Sequence, residues 1–245
     1  MDDATANRPF APRDRDWHPP ALAPAYRSSV LRAPRHPPLR IEPTATETTG
    51  PVFGHDAVGP SDADLITNHA RPGHAALGPR ILVHGRLTDA DGRGLPGKLI
   101  EIWQANAGGR YRHRRDGYLA PLDPDFGGAG RCLTGADGAY AFRTVQPGPY
   151  PWPNGGNDWR PAHIHFSVFG DGFAQRLVTQ MYFEGDPHIA LCPIVQAIPR
   201  ADAVDRLVAR LDMDRTVPMD LRAFRFDIVL RGRRQTPFET RPEGT

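Results

Sequence analysis

From residue 80 onward the chain consists of short apolar segments separated by turn signals, and this pattern restricts the fold more than any other feature. RILVHGRLTDADGRGLPGKLIEIWQAN reads as strand, turn, strand, with Asp91-Gly92 and Pro96-Gly97 in the turn. RCLTGADGAYAFRTV reads as two strands joined around Asp137-Gly138, a dipeptide favoured in tight hairpins. This spacing predicts a mostly β fold, an antiparallel β-sandwich of the prealbumin-like kind.

The C-terminal part continues this pattern with one interruption. HIHFSVFG and RLVTQMYFEGD predict two more strands, and FRFDIVLRG alternates apolar and polar residues as a closing strand with one buried face does. One short helix is predicted between residues 202 and 212, from apolar residues at helical spacing: Val204, Leu207, Val208 and Leu211. The sequence thus predicts a β domain with one or two short helices.

Residues 1–78 have a different texture, rich in Pro, Arg and Ala and without periodicity, which is typical of an extended arm. Low hydrophobicity alone would indicate disorder. Apolar residues are nevertheless scattered through the segment: Trp17, Tyr26, Val30, Leu31, Leu39, Ile41 and Phe53. We therefore predict an arm, 1–78, that wraps over its own core or a partner chain, followed by one domain, 79–245.

Charge and cysteine usage exclude several classes of protein. The formal net charge of +2 is too small to indicate a nucleic acid or a membrane as partner. No apolar run reaches the length of a membrane span, and MDDATANRPFAPRDRD does not have the pattern of a signal peptide. Cys132 and Cys192 are too few for a disulfide framework, so we expect a reducing, cytoplasmic location.

The segment PAHIHFSVFG carries the first chemical signal. In a strand, side chains alternate between faces, so His163 and His165 lie side by side, opposite the face of Ala162, Ile164, Phe166 and Val168. Two imidazoles on one face form half of a metal site. Exposed or hydrogen-bonded histidines are commoner, however, so the pair alone leaves both readings open.

Two tyrosines near this strand in sequence offer further donors. Tyr111 and Tyr150 carry phenols whose ordinary pKa is about 10. A strongly charged cation can displace that proton and hold the phenolate, and ferric iron is a hard cation that favours oxygen donors beside imidazoles. No spacing rule links the tyrosines to the histidines, so tyrosines with a purely structural role in turns remain the alternative.

The stretch GRYRHRRDGYLAPLDPDFGGAGRCLTGADGAYAFRTVQPGPYPWPNGGNDWRPAHIHFSVFG resembles the signature region of the intradiol ring-cleaving dioxygenases. The likeness continues through IEIWQANAGG, TQMYFEGDP, IALCPIV and FRFDIVLRG, and therefore covers most of the chain from Arg80 onward. In the arm, PPALAPAYRSSVLRAPRHPP is similar to the iron-carrying beta chains of this family.

This resemblance implies a non-haem Fe(III) centre. Its four ligands are expected at Tyr111, Tyr150, His163 and His165, with Tyr150 as the axial tyrosinate that leaves when the substrate binds. Arg160 is expected to stabilise negative charge on the substrate ring. The other matching positions surround the substrate: Trp152, Gln180 and Ile194 along the pocket, Trp103 behind the ligands, and, in the arm, Tyr26 with Arg32 and Arg35 behind it.

The resemblance also implies a reaction and a partner. Protocatechuate (3,4-dihydroxybenzoate) and O2 would give 3-carboxy-cis,cis-muconate, a step of aromatic degradation in the beta-ketoadipate pathway that needs no reductant. A homologous alpha subunit, which lacks the iron ligands but supplies part of the pocket wall, would join this chain in a hetero-oligomer of several alpha-beta protomers.

Three alternatives compete with this interpretation. A non-catalytic β-sandwich binding module would explain the strand and turn pattern. It would not explain why five residues all match the positions of the family's site residues: Tyr111, Tyr150, Arg160, His163 and His165. A sister enzyme for catechol or hydroxyquinol typically carries a helical N-terminal region, whereas this arm is rich in proline. An alpha subunit would lack the ligand residues that this chain retains.

Overall fold

The computed structural model describes Asp14 and residues 16–36, 44–46, 56–170 and 176–237. Strands dominate these residues: β1 Arg80–Thr88, β2 Leu99–Gln104, β3 Ala129–Leu133, β4 Ala139–Val145, β5 Tyr150–Trp152, β6 Asp158–Arg160, β7 His163–Phe169, β8 Arg176–Phe183, β9 Val208–Val217, β10 Leu221–Arg225 and β11 Ile228–Val229. Helices are short: α1 Arg27–Arg32, α2 Pro193–Gln196, α3 Ala201–Asp205 and a 3-10 helix, Ile189–Leu191. The prediction of a mostly β chain with few short helices is confirmed.

Nine of the described strands form one hydrogen-bonded sheet, in the order β11-β1-β10-β9-β8-β7-β2-β3 with β4 beside β1. Strand β9 joins its two halves, because it pairs with β10 on one side and, over Tyr182–Val208 and Phe183–Ala209, with β8 on the other. The sheet is therefore continuous and nearly barrel-like. The predicted antiparallel β-sandwich is not confirmed, and β1–β10, β1–β11 and β8–β9 pair in parallel. Strands β5 and β6 form a separate hairpin.

The turn at Asp137-Gly138 forms as predicted, but it does not close a hairpin. Gly138 has a φ of +82°, and an added Cβ would lie 2.4 Å from the Leu87 carbonyl oxygen. The strands on either side of the turn have different partners: β3 pairs with β2, whereas β4 pairs with β1. The local dipeptide marked the turn, while burial of both strands in one core decided their partners.

The helix predicted between residues 202 and 212 is mostly wrong. Helix α3 ends at Asp205, and Val208 begins strand β9. Apolar spacing was compatible with a helix, but pairing with β8 and β10 gives the backbone of residues 208–212 better partners. The closing strand is divided into β10 and β11, and its predicted apolar face is buried: Phe224, Phe226, Ile228 and Leu230.

The main core lies between the two halves of the sheet. Phe166 of β7 is fully buried, and its ring centroid lies 5.8 Å from that of Phe142 and 5.2 Å from that of Phe226. Ala162, Ile164 and Val168 share this core, which confirms the predicted alternation along β7. This packing turns the two histidines of β7 toward the opposite face.

Trp17 and Tyr26 of the arm pack on a second hydrophobic cluster. Trp17 is buried there with Tyr182 and Ile194, and its indole N–H donates to the Gln235 carbonyl at 2.8 Å. Leu39, Ile41 and Phe53 lie outside the described residues. Leu65 and Ala76 belong to the main core, and the boundary between arm and domain at residue 78 stays a prediction.

Both cysteines are free and buried. In the described part of the chain, no helix combines the length and apolarity that crossing a bilayer requires.

Replacing Phe166 by Ala should lower the free energy of unfolding by about 3–5 kcal/mol, because the substitution leaves a cavity among packed aromatic rings. Guanidinium unfolding followed by tryptophan fluorescence measures this change. Leu119→Ala is the matched control, since Leu119 is 93% exposed and its truncation should change stability by less than ~0.5 kcal/mol. Equal effects of the two substitutions would contradict this account of the core.

Candidate metal centre

The register of three strands assembles one side of the site. His165 on β7 is paired with Trp103 on β2 and with Gln180 on β8, and His163 is paired with Tyr182 on β8. Residues directly opposite each other in antiparallel strands project from the same face of the sheet. The two histidines are therefore flanked by aromatic and amide side chains in a single row.

Two tyrosines complete the group from outside the sheet. The Tyr111 hydroxyl, from the β2–β3 connection, lies 3.4 Å from His163 Nε2 and 3.2 Å from His165 Nε2. The Tyr150 hydroxyl, at the start of β5, lies 3.4 Å from His163 Nε2. The structure thus brings together all four residues predicted as ligands.

Hydrogen bonding and stacking orient the imidazoles. The Nδ1–H of His163 donates to the Pro161 carbonyl at 2.6 Å, which leaves the Nε2 lone pair directed at the tyrosine hydroxyls. Burial, followed by the charges of Arg160 and His165, holds the pKa of His163 well below its usual value, so the ring is neutral. The His165 ring stacks on Trp103 at 4.8 Å with 3° between planes, which fixes its orientation.

The donor set fits a hard trivalent cation. Two imidazole nitrogens and two phenol oxygens converge within hydrogen-bonding distances of one another, and among the described residues no three His, Cys, Asp or Glu side chains form a metal-binding group. Burial raises the pKa of Tyr150, an effect that the positive charge of Arg160 partly offsets. A bound cation would favour the phenolate form, and this balance of donors suits ferric iron.

Arg160 places a buried positive charge beside these residues. It is 5% exposed and is paired with Tyr150 across the β5–β6 hairpin. Its Nη2 donates to Gln180 Oε1 and, at 3.5 Å, to the Tyr182 hydroxyl, while its buried Nε has no hydrogen-bond partner within the part of the chain that the structure describes. Burial alone would lower the pKa of Arg160, but the Tyr182 and Tyr150 phenols raise it, and the guanidinium stays charged.

The remaining predicted residues lie at different distances from this centre. The Trp152 ring is 5.7 Å from the guanidinium carbon of Arg160 and 5.3 Å from the Tyr26 ring of the arm. Ile194, on α2, is packed in the same second cluster. The Arg32 guanidinium carbon lies 4.7 Å from the Tyr26 ring centroid, whereas the side chain of Arg35 is exposed.

Two residues at the site were missed from the sequence. Tyr182 donates to Gln180 Oε1 at 3.0 Å and so belongs to the Arg160 network. The period of two along β8 already placed it on the face of Gln180. Asp116 accepts the backbone N–H groups of Tyr111 and Tyr118, each at 2.8 Å. The Asp-Gly pair in RDGY indicated such a turn.

Asp116→Ala should loosen the loop that carries Tyr111, because two backbone N–H groups lose their carboxylate acceptor, at a cost of about 1–3 kcal/mol. Hydrogen–deuterium exchange over residues 110–118 should become faster. Asp91→Ala, in an exposed turn where the carboxylate is paired with Arg93, should leave this exchange unchanged. Unaltered exchange in the Asp116 variant would show that the carboxylate does not hold the loop.

Comparison with known proteins agrees with this geometry. Residues 48–232 match the dioxygenase family, and residues 11–44 match the N-terminal segment of protocatechuate 3,4-dioxygenase beta subunits. The protocatechuate 3,4-dioxygenase beta chain of Burkholderia cepacia is 51% identical over 94% of this chain and 97% of its own length. A hydroxyquinol 1,2-dioxygenase from Rhizobium sp. is 38% identical over 46% of this chain and 40% of its own.

Solved structures give the same result at the level of the fold. Hydroxyquinol 1,2-dioxygenase from Pseudomonas putida has a TM-score of 0.53 and 25% identity, covering 80% of this chain and 68% of its own. Catechol 1,2-dioxygenase from Acinetobacter sp. ADP1 has a TM-score of 0.50 and 28% identity, covering 69% and 56%. The chain belongs to the intradiol ring-cleaving dioxygenase family, in the group that includes the protocatechuate 3,4-dioxygenase beta chains.

Proposed function

We propose that this chain is the catalytic beta subunit of an enzyme that cleaves protocatechuate with O2 to 3-carboxy-cis,cis-muconate. The observation that carries the proposal is the convergence of two tyrosine hydroxyls and two imidazoles beside a buried arginine. The 51% identity to the protocatechuate 3,4-dioxygenase beta chain of Burkholderia cepacia, over 94% of this chain, supports protocatechuate as the substrate.

Tyr111, Tyr150, His163 and His165 would hold non-haem Fe(III). When bound, ferric iron acts as a Lewis acid that draws charge from a catecholate and activates its ring toward dioxygen. The neutral His163 offers its Nε2 without first losing a proton, because its Nδ1–H is donated to Pro161. The stack on Trp103 would keep His165 in the plane that its ligand role requires.

Proton transfer would fall to Tyr150. Tyr150 Oη lies beside the His163 imidazole, and burial raises the pKa of this phenol, so a free Tyr150 phenolate is a strong base at this position. It would take up a proton from a substrate hydroxyl as general base. No separate histidine is required for this step.

Arg160 would stabilise the negative charge that develops on the substrate ring. Its Nη2 is held by Gln180 and Tyr182, and its buried Nε N–H has no protein acceptor among the described residues. A fixed cation in a site from which water is excluded stabilises developing charge without reorganisation during the reaction. The electrons for cleavage come from the catecholate itself, and both atoms of O2 enter the product.

The arm would provide substrate and partner contacts. Its cations and the Tyr26 ring lie on the side of Trp152, where a carboxylate on the ring could be bound. Val30 and Leu31 on α1 are 56% and 91% exposed, which fits contact with a homologous alpha subunit.

We propose an arm (1–78) and a catalytic domain (79–245) of the β-sandwich type, in a hetero-oligomer with that subunit. The free, buried cysteines of this chain, Cys132 and Cys192, fit a reducing compartment such as the cytoplasm.

Tyr111→Phe should abolish phenolate ligation from the β2–β3 connection and lower protocatechuate turnover by at least ~100-fold. The chain is co-expressed with its alpha partner, reconstituted with ferric iron, and its visible spectrum is recorded before and after anaerobic addition of protocatechuate. The wild type should show a broad tyrosinate-to-iron band that shifts with substrate, and Tyr111→Phe should weaken it. Tyr118→Phe, in the same loop, is the control and should retain the band. A colourless wild type would overturn the proposed metal centre.

Arg160→Lys should lower kcat by about 100-fold while leaving the tyrosinate band in place, because a lysine cannot reproduce the fork of N–H donors at this position. Steady-state oxygen uptake measures the change. Arg176→Lys on β8 is the matched control, since Arg176 bonds Ser167 away from the centre. An Arg160→Lys enzyme with the wild-type kcat would exclude a role for the guanidinium in charge stabilisation.

A further inference from the structure

Asn154 lies in the turn between β5 and β6, the hairpin that carries Tyr150 and Arg160. It is 4% exposed, and both N–H donors and the carbonyl oxygen of its amide are hydrogen-bonded. Oδ1 accepts the Arg27 N–H at 2.8 Å, while Nδ2 donates to the Ala25 carbonyl at 2.8 Å and to Asp158 Oδ2 at 2.7 Å. A buried amide with three such bonds fixes the groups it joins.

Two of these three bonds go to the backbone on either side of Tyr26. The residue between them places its ring 5.3 Å from Trp152, which in turn lies 5.7 Å from the Arg160 guanidinium. The contact of Asn154 with Asp158 lies within the hairpin itself. One side chain therefore connects an arm residue near the substrate pocket with the hairpin of the metal centre.

The arm has its own local support, which Asn154 does not provide. Ser29 is fully buried, and its hydroxyl donates to the Ala23 carbonyl at 2.7 Å and accepts the Ala23 N–H at 2.9 Å. These bonds shape the segment from Ala23 to Ser29, whereas Asn154 attaches it to the hairpin. Shape and attachment can consequently be altered separately.

We propose that Asn154 is a positioning residue that holds Tyr26 in the wall of the substrate pocket. This inference rests on the proposed function, since it assumes a substrate between the metal centre and the arm. Only an amide fits the three partners: an aspartate would lose both donors and would add a second carboxylate beside Asp158. Loss of the side chain would release the segment around Tyr26 and leave the ligands on the hairpin in place.

The test compares Asn154→Ala with the wild type in the full iron-loaded complex. The KM for protocatechuate should rise about tenfold, the effect of losing roughly one buried hydrogen bond, while kcat stays within about twofold. The tyrosinate band of the substrate-free enzyme should not change. Hydrogen–deuterium exchange over residues 23–33 should become faster. Asn157→Ala is the matched control, because Asn157 is exposed in the same hairpin and accepts the Trp159 indole N–H, away from the arm.

Unchanged KM and unchanged exchange in Asn154→Ala would overturn the proposal. Loss of the band together with kcat would overturn it as well, because Asn154 would then hold the Tyr150 hairpin and not the arm. Hydrogen exchange needs no turnover, so it still tests the attachment if the wild type does not cleave protocatechuate. A wild type that does not cleave protocatechuate would refute the proposed function, and the attachment of the arm by Asn154 could still stand.

Ser29→Ala keeps the test decisive should Asn154→Ala fail to fold. This substitution disturbs the arm from its other side and leaves the hairpin untouched. Faster exchange over residues 23–33 should again accompany a raised KM with an unchanged band. A mobile arm with the wild-type KM would show that Tyr26 does not have to be held for substrate to bind.

Discussion

The packing of one face of β7 is the constraint on which the site depends. Ile164, Phe166 and Val168 are fully buried between the two halves of the sheet. Since side chains alternate along a strand, the burial of these three residues places His163 and His165 on the opposite face. A slip of one residue would exchange the two sets, so the same hydrophobic contacts that stabilise the fold also set the register of the imidazoles.

Pairing then extends this constraint to the neighbouring strands. Because β7 lies between β2 and β8, Trp103, Gln180 and Tyr182 are aligned with the histidines by backbone hydrogen bonds. The separate β5–β6 hairpin adds Tyr150 and Arg160 as a pair. Rigid strands thus supply most of the polar site, and Tyr111 is the residue that depends on a loop, where Asp116 holds its backbone.

The site places a buried cation beside phenol and imidazole side chains. Arg160 has little exposure to water, and its charge is compatible with burial because Gln180 and the tyrosine phenols lie around it. The same charge lowers the pKa of its neighbour His163 and opposes the effect of burial on Tyr150. This guanidinium therefore adds to the effect of burial that keeps the His163 imidazole neutral, and it favours ionisation of the Tyr150 phenol.

The sequence by itself determined the local features: the strands, the alternation along β7, the buried face of residues 224–230 and, through the family resemblance, the residues that converge. It did not determine which strands pair, because β3 and β4 flank one turn yet pair with different strands. Residues 208–212 have apolar residues at helical spacing but form a strand that pairs within the sheet. The tertiary structure also decided the contact between Asn154 and the arm. Such contacts join residues more than a hundred positions apart, and their energy depends on packing that no local pattern encodes.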